Sequence, residues 1–192
     1  MSDPGENSWG DPPYQNAFLM EHKADYVKKP KHYREQNEDA CIICNIISGK
    51  EETTSFVIYK DDKLMVFLNL FPYTTGHALI SPIRHITGYD ELTTHELNDF
   101  AVMTQRVIKM LKHYANTESF NAGWNQGEWS GGSIRHFHAH IVPRYRTDIN
   151  FIDIIGKSRT VLYPLEKVQE ELQRYVPFLC GEKSISELFE TS

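Results

Sequence analysis

The stretch SGGSIRHFHAHIVPR, residues 130–144, decides how the rest of this sequence is interpreted. It places a histidine at every second position, namely His136, His138 and His140. Alternation is the period of a β-strand, so we expect the three imidazoles to share one face, about 7 Å apart. The opposite face, which would enter the core, holds Phe137, Ala139 and Ile141. The row of imidazoles indicates a metal site, a catalytic site, or both.

The segment before the histidines, NQGEWSGGS at 125–133, is rich in small and polar residues. Glycine lets the backbone approach a ligand closely, and consecutive N–H groups form an anion-binding concavity. An anion cradle beside imidazoles favours attack of a neutral histidine nitrogen on phosphorus, which gives a covalent phosphoramidate. The alternative interpretation is an ordinary glycine-rich turn between two strands.

Composition excludes several classes of partner. The 192 residues carry a formal net charge of −6, which argues against general binding to nucleic acid or to anionic membranes. The longest apolar run, residues 64–71, is too short to span a bilayer. Residues 1–15 are acidic and proline-rich and lack the regions of a signal peptide, so a cytoplasmic location is expected.

The periodicity of the chain predicts an α+β fold, with an antiparallel sheet and one long helix. The predicted helix covers 93–115 and begins with a capping box formed by Thr93 and Glu96. Strands are predicted at 55–60, 64–70, 76–82, 120–126 and 136–144. The predicted organisation is an extended N-terminal arm at 1–37, a catalytic domain at 38–146, and a C-terminal helical extension at 147–192 that packs on the same domain.

Cysteine usage leaves more than one interpretation open. Cys41 and Cys44 form a C-x-x-C motif, whereas Cys180 stands alone. An odd number of cysteines does not suggest a disulfide framework. The C-x-x-C motif by itself is compatible with zinc binding, redox chemistry or coincidence.

The motif HFHAHIV at 136–142 resembles the signature of the histidine-triad (HIT) superfamily of nucleotidyl hydrolases and transferases. The resemblance covers roughly residues 41–146 and includes CIIC at 41–44 and FLNLFPYTTGHALISPIRH at 67–85. Together with NQGEWSGGS, the segment DINFIDIIG at 148–156 is most similar to the branch that contains bacterial diadenosine tetraphosphate phosphorylases. The resemblance implies a HIT-like fold, a nucleotide substrate, and a homodimer or higher homo-oligomer.

The resemblance also implies individual roles. His138 would be the nucleophile that becomes nucleotidylated, with His140 supporting it and helping to bind phosphate, and with His136 beside them. Asn69 would hold the ribose hydroxyls. Asn125, Gly132 and Ser133 match family positions that contact the phosphates, and Gln126 is expected to add a side-chain donor there.

One departure from the family pattern bears on the reaction. Many hydrolases of the family carry glutamine where this chain has Gly132, so we expect phosphorolysis rather than hydrolysis of dinucleoside polyphosphates. The alternatives are a hydrolase of dinucleoside polyphosphates or nucleoside phosphoramidates, and a catalytically weak nucleotide-binding sensor. A hydrolase with zinc held by the H-x-H histidines would need an open metal position.

Zinc-carrying members of the family imply a second use for four residues, Cys41, Cys44, His85 and His136. A Cys₂His₂ set fills the tetrahedron of Zn²⁺ and leaves no open position, so the expected cofactor is a structural zinc ion and no organic cofactor. The alternative is that the two cysteines are reduced core thiols. His77 is interpreted as a structural, hydrogen-bonding histidine.

Overall fold

The computed structural model describes residues 41–50, 53–146 and 163–189. The arm predicted at 1–37 and the motif at 148–156 lie outside the described residues. Short 3₁₀ turns stand at Tyr89–Glu91 and Glu128–Ser130. The helices and strands, in chain order, are α1 Ile42–Ser48, β1 Val57–Lys60, β2 Leu64–Leu68, β3 Ala78–Pro82, α2 Thr94–Ala115, β4 Phe120–Trp124, β5 Ala139–Pro143, α3 Leu165–Gln173, α4 Val176–Leu179 and α5 Ile185–Phe189.

The strands of the described segments form one antiparallel sheet in the order β1-β2-β3-β5-β4. This sheet and the helices packed on it confirm the predicted α+β fold. Consecutive strands pair as hairpins from β1 to β3, whereas β5 inserts between β3 and β4. Strand β5, which carries His140, is therefore an inner strand with neighbours on both sides.

Helix α2 has the N-terminus that the sequence predicts. The Thr93 side chain accepts the Glu96 N–H while the Glu96 carboxylate accepts the Thr93 N–H, which completes the capping box. The helix ends where Asn116 adopts a left-handed conformation. Within the described part of the chain, no helix combines the length and the apolar character that crossing a bilayer requires.

The two faces of the sheet pack against different helices. Leu64, Val66 and Leu68 on β2 point to the core that α2 covers, because alternate residues of a strand share a face. Met65 and Phe67 point the other way and pack in a second cluster with α1. Both faces of β2 are consequently buried, which explains its continuous apolar sequence.

The strand prediction for 136–144 is wrong at its start, because β5 begins only at Ala139. Strand β3 pairs with β5 only as far as Ala139, and β4 also ends there. Residues 136–138 instead bond to the segment after β3, where the Phe137 N–H donates to the Ile86 carbonyl (2.7 Å). The predicted alternation nevertheless holds, since Phe137, Ala139 and Ile141 are all buried in the α2 core.

The C-terminal helices join the same core. Val168, Leu172, Tyr175 and Leu179 pack with the α2 side chains and are buried. Helix α3 also covers the outer edge of β1, where the amides of Gln169 and Gln173 donate to the Val57 carbonyl at 2.8 and 3.0 Å. These bonds satisfy a carbonyl at the outer edge of the sheet that the described residues form.

We expect Leu172→Ala to lower the free energy of unfolding by about 2–4 kcal/mol, because Leu172 is 0 % exposed and the truncation leaves a cavity. Glu170→Ala, two residues away on the exposed side of α3, is the matched control and should change stability by less than about 0.5 kcal/mol. Urea denaturation of both variants measures the difference. Equal stabilities would show that α3 is not part of the cooperative core.

Candidate active site and metal centre

Four ligand-type side chains converge where α1, the segment after β3 and the start of the histidine motif meet. Their ligand atoms all lie within 4.8 Å of one another. The Cys44 sulfur lies 3.2 Å from His85 Nδ1 and 3.4 Å from His136 Nδ1, and the Cys41 sulfur lies 3.6 Å from His136 Nδ1. Zn–S and Zn–N bonds of ordinary length in a tetrahedron place ligand atoms about 3.3–3.8 Å apart. The arrangement therefore fits a zinc ion.

The surroundings of His136 prepare it as a ligand. His136 is 0 % exposed, and its Nε2–H donates to the Pro82 carbonyl (3.0 Å). A carbonyl can only accept, so the lone pair of the neutral ring is on Nδ1, the atom that faces the two sulfurs. Burial lowers the pKa of His136 to about 4, which keeps the imidazole neutral at ordinary pH.

His138 is held in one tautomer by the backbone. Its Nδ1 lies 2.7 Å from the His136 carbonyl oxygen, so Nδ1 carries the proton and Nε2 carries the lone pair. The side chain is only 6 % exposed, and burial lowers the pKa of His138 below its usual value. A neutral imidazole with an available Nε2 is the form that can attack an electrophile.

His140 belongs to a chain of hydrogen bonds that begins at a backbone amide. The Tyr73 N–H donates to His77 Nδ1 (3.1 Å), and the Asn69 amide nitrogen approaches the same atom at 3.3 Å. His77 therefore carries its proton on Nε2 and donates it to His140 Nδ1 (2.9 Å). It follows that a neutral His140 carries its own proton on Nε2. Its ring centroid lies 5.1 Å from that of His138, closer than the spacing of about 7 Å expected from an extended strand.

The structure places Asn69 and His77 together. Asn69 Oδ1 accepts the Phe71 N–H (3.1 Å), which orients the amide so that its nitrogen faces His77. His77 is 0 % exposed and makes the hydrogen bonds expected of a structural histidine. The predicted contact of Asn69 with ribose stays a prediction.

The glycine-rich loop is packed more closely than its composition suggests. A Cβ atom at Gly132 would lie 2.9 Å from the Asn125 Cβ, so these two predicted phosphate residues are in contact. Gly131 has a φ of 81°, a conformation that favours glycine. Ser133 is half-buried beside them. Glycine at position 132 thus permits the loop to fold against Asn125.

The side chain of Gln126 forms hydrogen bonds with Tyr89 and Asp90 and not with the other predicted phosphate residues. Its Oε1 accepts the Tyr89 N–H (3.0 Å), and its Nε2 donates to Asp90 (2.6 Å). The amide therefore links the end of β4 to the 3₁₀ turn that precedes α2. A role of Gln126 at phosphate stays a prediction.

Several contacts of the site leave no signal in the sequence. The carbonyls of Pro82 and His136 select the tautomers of His136 and His138, yet any residue type offers a carbonyl. The Tyr73 amide acts in the same way on His77.

The sequence profile of the HIT domain matches residues 50–147, just over half of the chain, including the histidine motif. The chain belongs to the HIT domain family. An uncharacterized HIT-like protein of Methanocaldococcus jannaschii is 34% identical over 133 residues, which cover 69% of this chain and 98% of that protein. The predicted membership is confirmed.

Two further relatives carry more informative names. AP-4-A phosphorylase of Mycobacterium tuberculosis is 37% identical over 106 residues, which cover 55% of this chain and 54% of that protein. The chain thus matches about half the length of this curated relative. The crystal structure of a Zn-bound histidine triad family protein from Mycobacterium smegmatis superposes with a TM-score of 0.61 at 22% identity, covering 77% of this chain and all of that one, and supports the fold.

We expect purified protein to contain about one zinc ion per chain, because four ligand atoms converge at suitable distances. Cys41→Ser should abolish most of this content and lower the melting temperature by about 5 °C or more, since metal binding adds to the free energy of unfolding. Cys180→Ser, which changes a cysteine outside the cluster, is the control. Protein prepared without chelator that contains no zinc would refute the assignment.

Proposed function

We propose that this HIT-domain protein cleaves dinucleoside polyphosphates, of the diadenosine tetraphosphate type, through a covalent nucleotidyl-His138 intermediate that inorganic phosphate resolves. One observation carries the proposal. The only lone pair of the neutral His138 ring is on Nε2, because Nδ1–H is committed to the His136 carbonyl at 2.7 Å. An imidazole attacks through the lone pair of its neutral form, and both the lowered pKa of His138 and its hydrogen bond to the His136 carbonyl favour a neutral ring with that lone pair on Nε2.

In the first step, Nε2 of His138 attacks the α-phosphorus of the substrate. A P–N bond forms, and the bridging P–O bond breaks with its electron pair departing on the leaving nucleotide. With diadenosine tetraphosphate the leaving group is ATP, and the adenylyl group stays on His138. Burial of His138 lowers the pKa of its ring, so the neutral form is available for this attack at neutral pH.

His140 is the group that stabilises charge on the transferred phosphoryl oxygens. The hydrogen bonds from Tyr73 through His77 leave its proton on Nε2 and make it a hydrogen-bond donor beside His138. A donor aimed at developing negative charge contributes most when its orientation is set in advance. The buried position of His77 supplies that orientation.

In the second step, an oxygen of inorganic phosphate attacks the same phosphorus. The P–N bond breaks, its electron pair returns to His138, and the product is a nucleoside diphosphate. The glycine-rich loop supports this acceptor, since backbone N–H groups and the hydroxyl of Ser133 are suited to an anion. The similarity to AP-4-A phosphorylase supports the same choice, and a water acceptor would instead give a nucleoside monophosphate.

We further propose that the metal centre is a closed, structural zinc site. Cys41, Cys44, His85 and His136 would occupy all four positions of the tetrahedron, so no position is open for substrate or water. Zinc supplies rigidity there when bound. A hydrolase that activates water on zinc is accordingly disfavoured.

His138→Asn should lower the rate of diadenosine tetraphosphate cleavage by at least about 10³-fold, because it removes the nucleophile. Asparagine keeps a polar side chain of similar reach, so the circular dichroism spectrum should be unchanged. His95→Asn, at an exposed position of α2, is the control and should retain the rate. Cleavage of the well-folded His138→Asn variant at a near-normal rate would eliminate the covalent mechanism.

Millimolar phosphate should accelerate cleavage, and ADP should replace AMP as the product formed beside ATP. Gly132→Ala should raise the KM for phosphate by about ten-fold, because the added Cβ displaces Asn125 from the loop. Gly123→Ala is the matched control, since a Cβ there meets no atom within 4 Å. Anion-exchange chromatography of the products distinguishes ADP from AMP. Formation of AMP at a rate independent of phosphate would instead identify a hydrolase.

A further inference from the structure

A single peptide unit connects the metal centre to His138. The carbonyl of the unit between His136 and Phe137 accepts the His138 Nδ1–H at 2.7 Å. The N–H of the same unit donates to the Ile86 carbonyl at 2.7 Å. Since a peptide unit is planar, the direction of its carbonyl is set by whatever holds its N–H.

Both sides of this peptide unit are attached to metal-ligand residues. His136 precedes the unit, and Ile86 directly follows His85, the ligand contributed by the other segment. The two imidazoles lie with ring centroids 4.7 Å apart. A metal ion bound to both rings would therefore join the segment that ends at Ile86 to the segment that begins at His136. The relative position of these two segments sets the direction of the His136 carbonyl.

We propose that occupancy of the metal centre positions the nucleophile: metal bound to His85 and His136 holds the 136–137 peptide unit in the orientation that keeps the proton of His138 on Nδ1. This role goes beyond structural zinc, and its consequence for catalysis rests on the proposed function. His85 and His136 are positioning residues in this respect. Without the metal, the peptide unit gains freedom to tilt, and the His138 proton redistributes between the two ring nitrogens.

The coupling acts through geometry rather than through charge. A divalent ion bound to two thiolates and two neutral imidazoles has no net charge, so its long-range field at His138 is small. Any tetrahedral divalent ion that accepts the same four ligands should then serve. Cd²⁺ is such an ion, and it differs from Zn²⁺ in its effect on bound water, which a closed site does not contain.

The test compares zinc-loaded, metal-free and cadmium-loaded protein labelled with ¹⁵N-histidine. Long-range ¹H–¹⁵N spectra report the tautomer of each ring, and His138→Asn assigns the His138 signals. Rapid-quench measurement of the nucleotidylated protein gives the rate of the first step. We expect a mixture of His138 tautomers and a first step about 10–100-fold slower without metal, as for displacement of a reacting group by about 1 Å. Cadmium should restore both properties.

Circular dichroism establishes that the metal-free protein is folded. If it unfolds, zinc-loaded His85→Ala is measured instead, because it severs one of the two attachments; His95→Ala is its control. A single Nδ1–H tautomer with an unchanged first step, in either folded form, would overturn the proposal. Absence of any nucleotidyl-histidine in zinc-loaded protein would refute the proposed function alone, because the tautomer measurement needs no substrate.

Discussion

The alternation of side chains along residues 136–141 is the constraint on which the rest of the structure depends. Phe137, Ala139 and Ile141 enter the core beneath α2, which anchors the backbone by apolar burial. The intervening histidines are consequently held on the other side with little freedom. A register shift of one residue would exchange the two sets and place imidazoles in the apolar core, at a large cost in free energy.

The segment from Pro82 to Ile86 connects the parts of the site that lie far apart in sequence. Its two terminal carbonyls accept from His136 and from the Phe137 N–H. Between them, the Arg84 guanidinium binds both carboxylate oxygens of Glu96 at 2.9 and 2.8 Å. That hydrogen bonding lowers the pKa of Glu96 to about 2, and Glu96 also completes the capping box of α2. The metal-ligand segment is thus tied to the start of the long helix.

The sequence predicted the regular elements well because their signals are local. The apolar spacing of α2, its capping box, and the continuous apolar run of β2 each lie within a short stretch of sequence. The convergence of Cys41 and Cys44 with His85 and His136 came from resemblance, and the geometry agrees with it. The tautomers of the histidines could not be predicted, since they depend on carbonyls that every residue possesses. The predicted start of β5 was three residues too early. A strand ends where its neighbouring strands stop pairing with it, and the sequence of β5 does not contain that information.

The glutamines of α3 have a consequence for how copies of this sheet can associate. Gln169 and Gln173 occupy the outward carbonyl of Val57, so strand addition at β1 is obstructed. The opposite edge is β4, where Asn121 and Ala122 are exposed. A sheet with two open edges can add copies without limit and grow into a fibre. Within the described part of the chain only the β4 edge is left for such addition, and two copies paired through that edge would close it for each other.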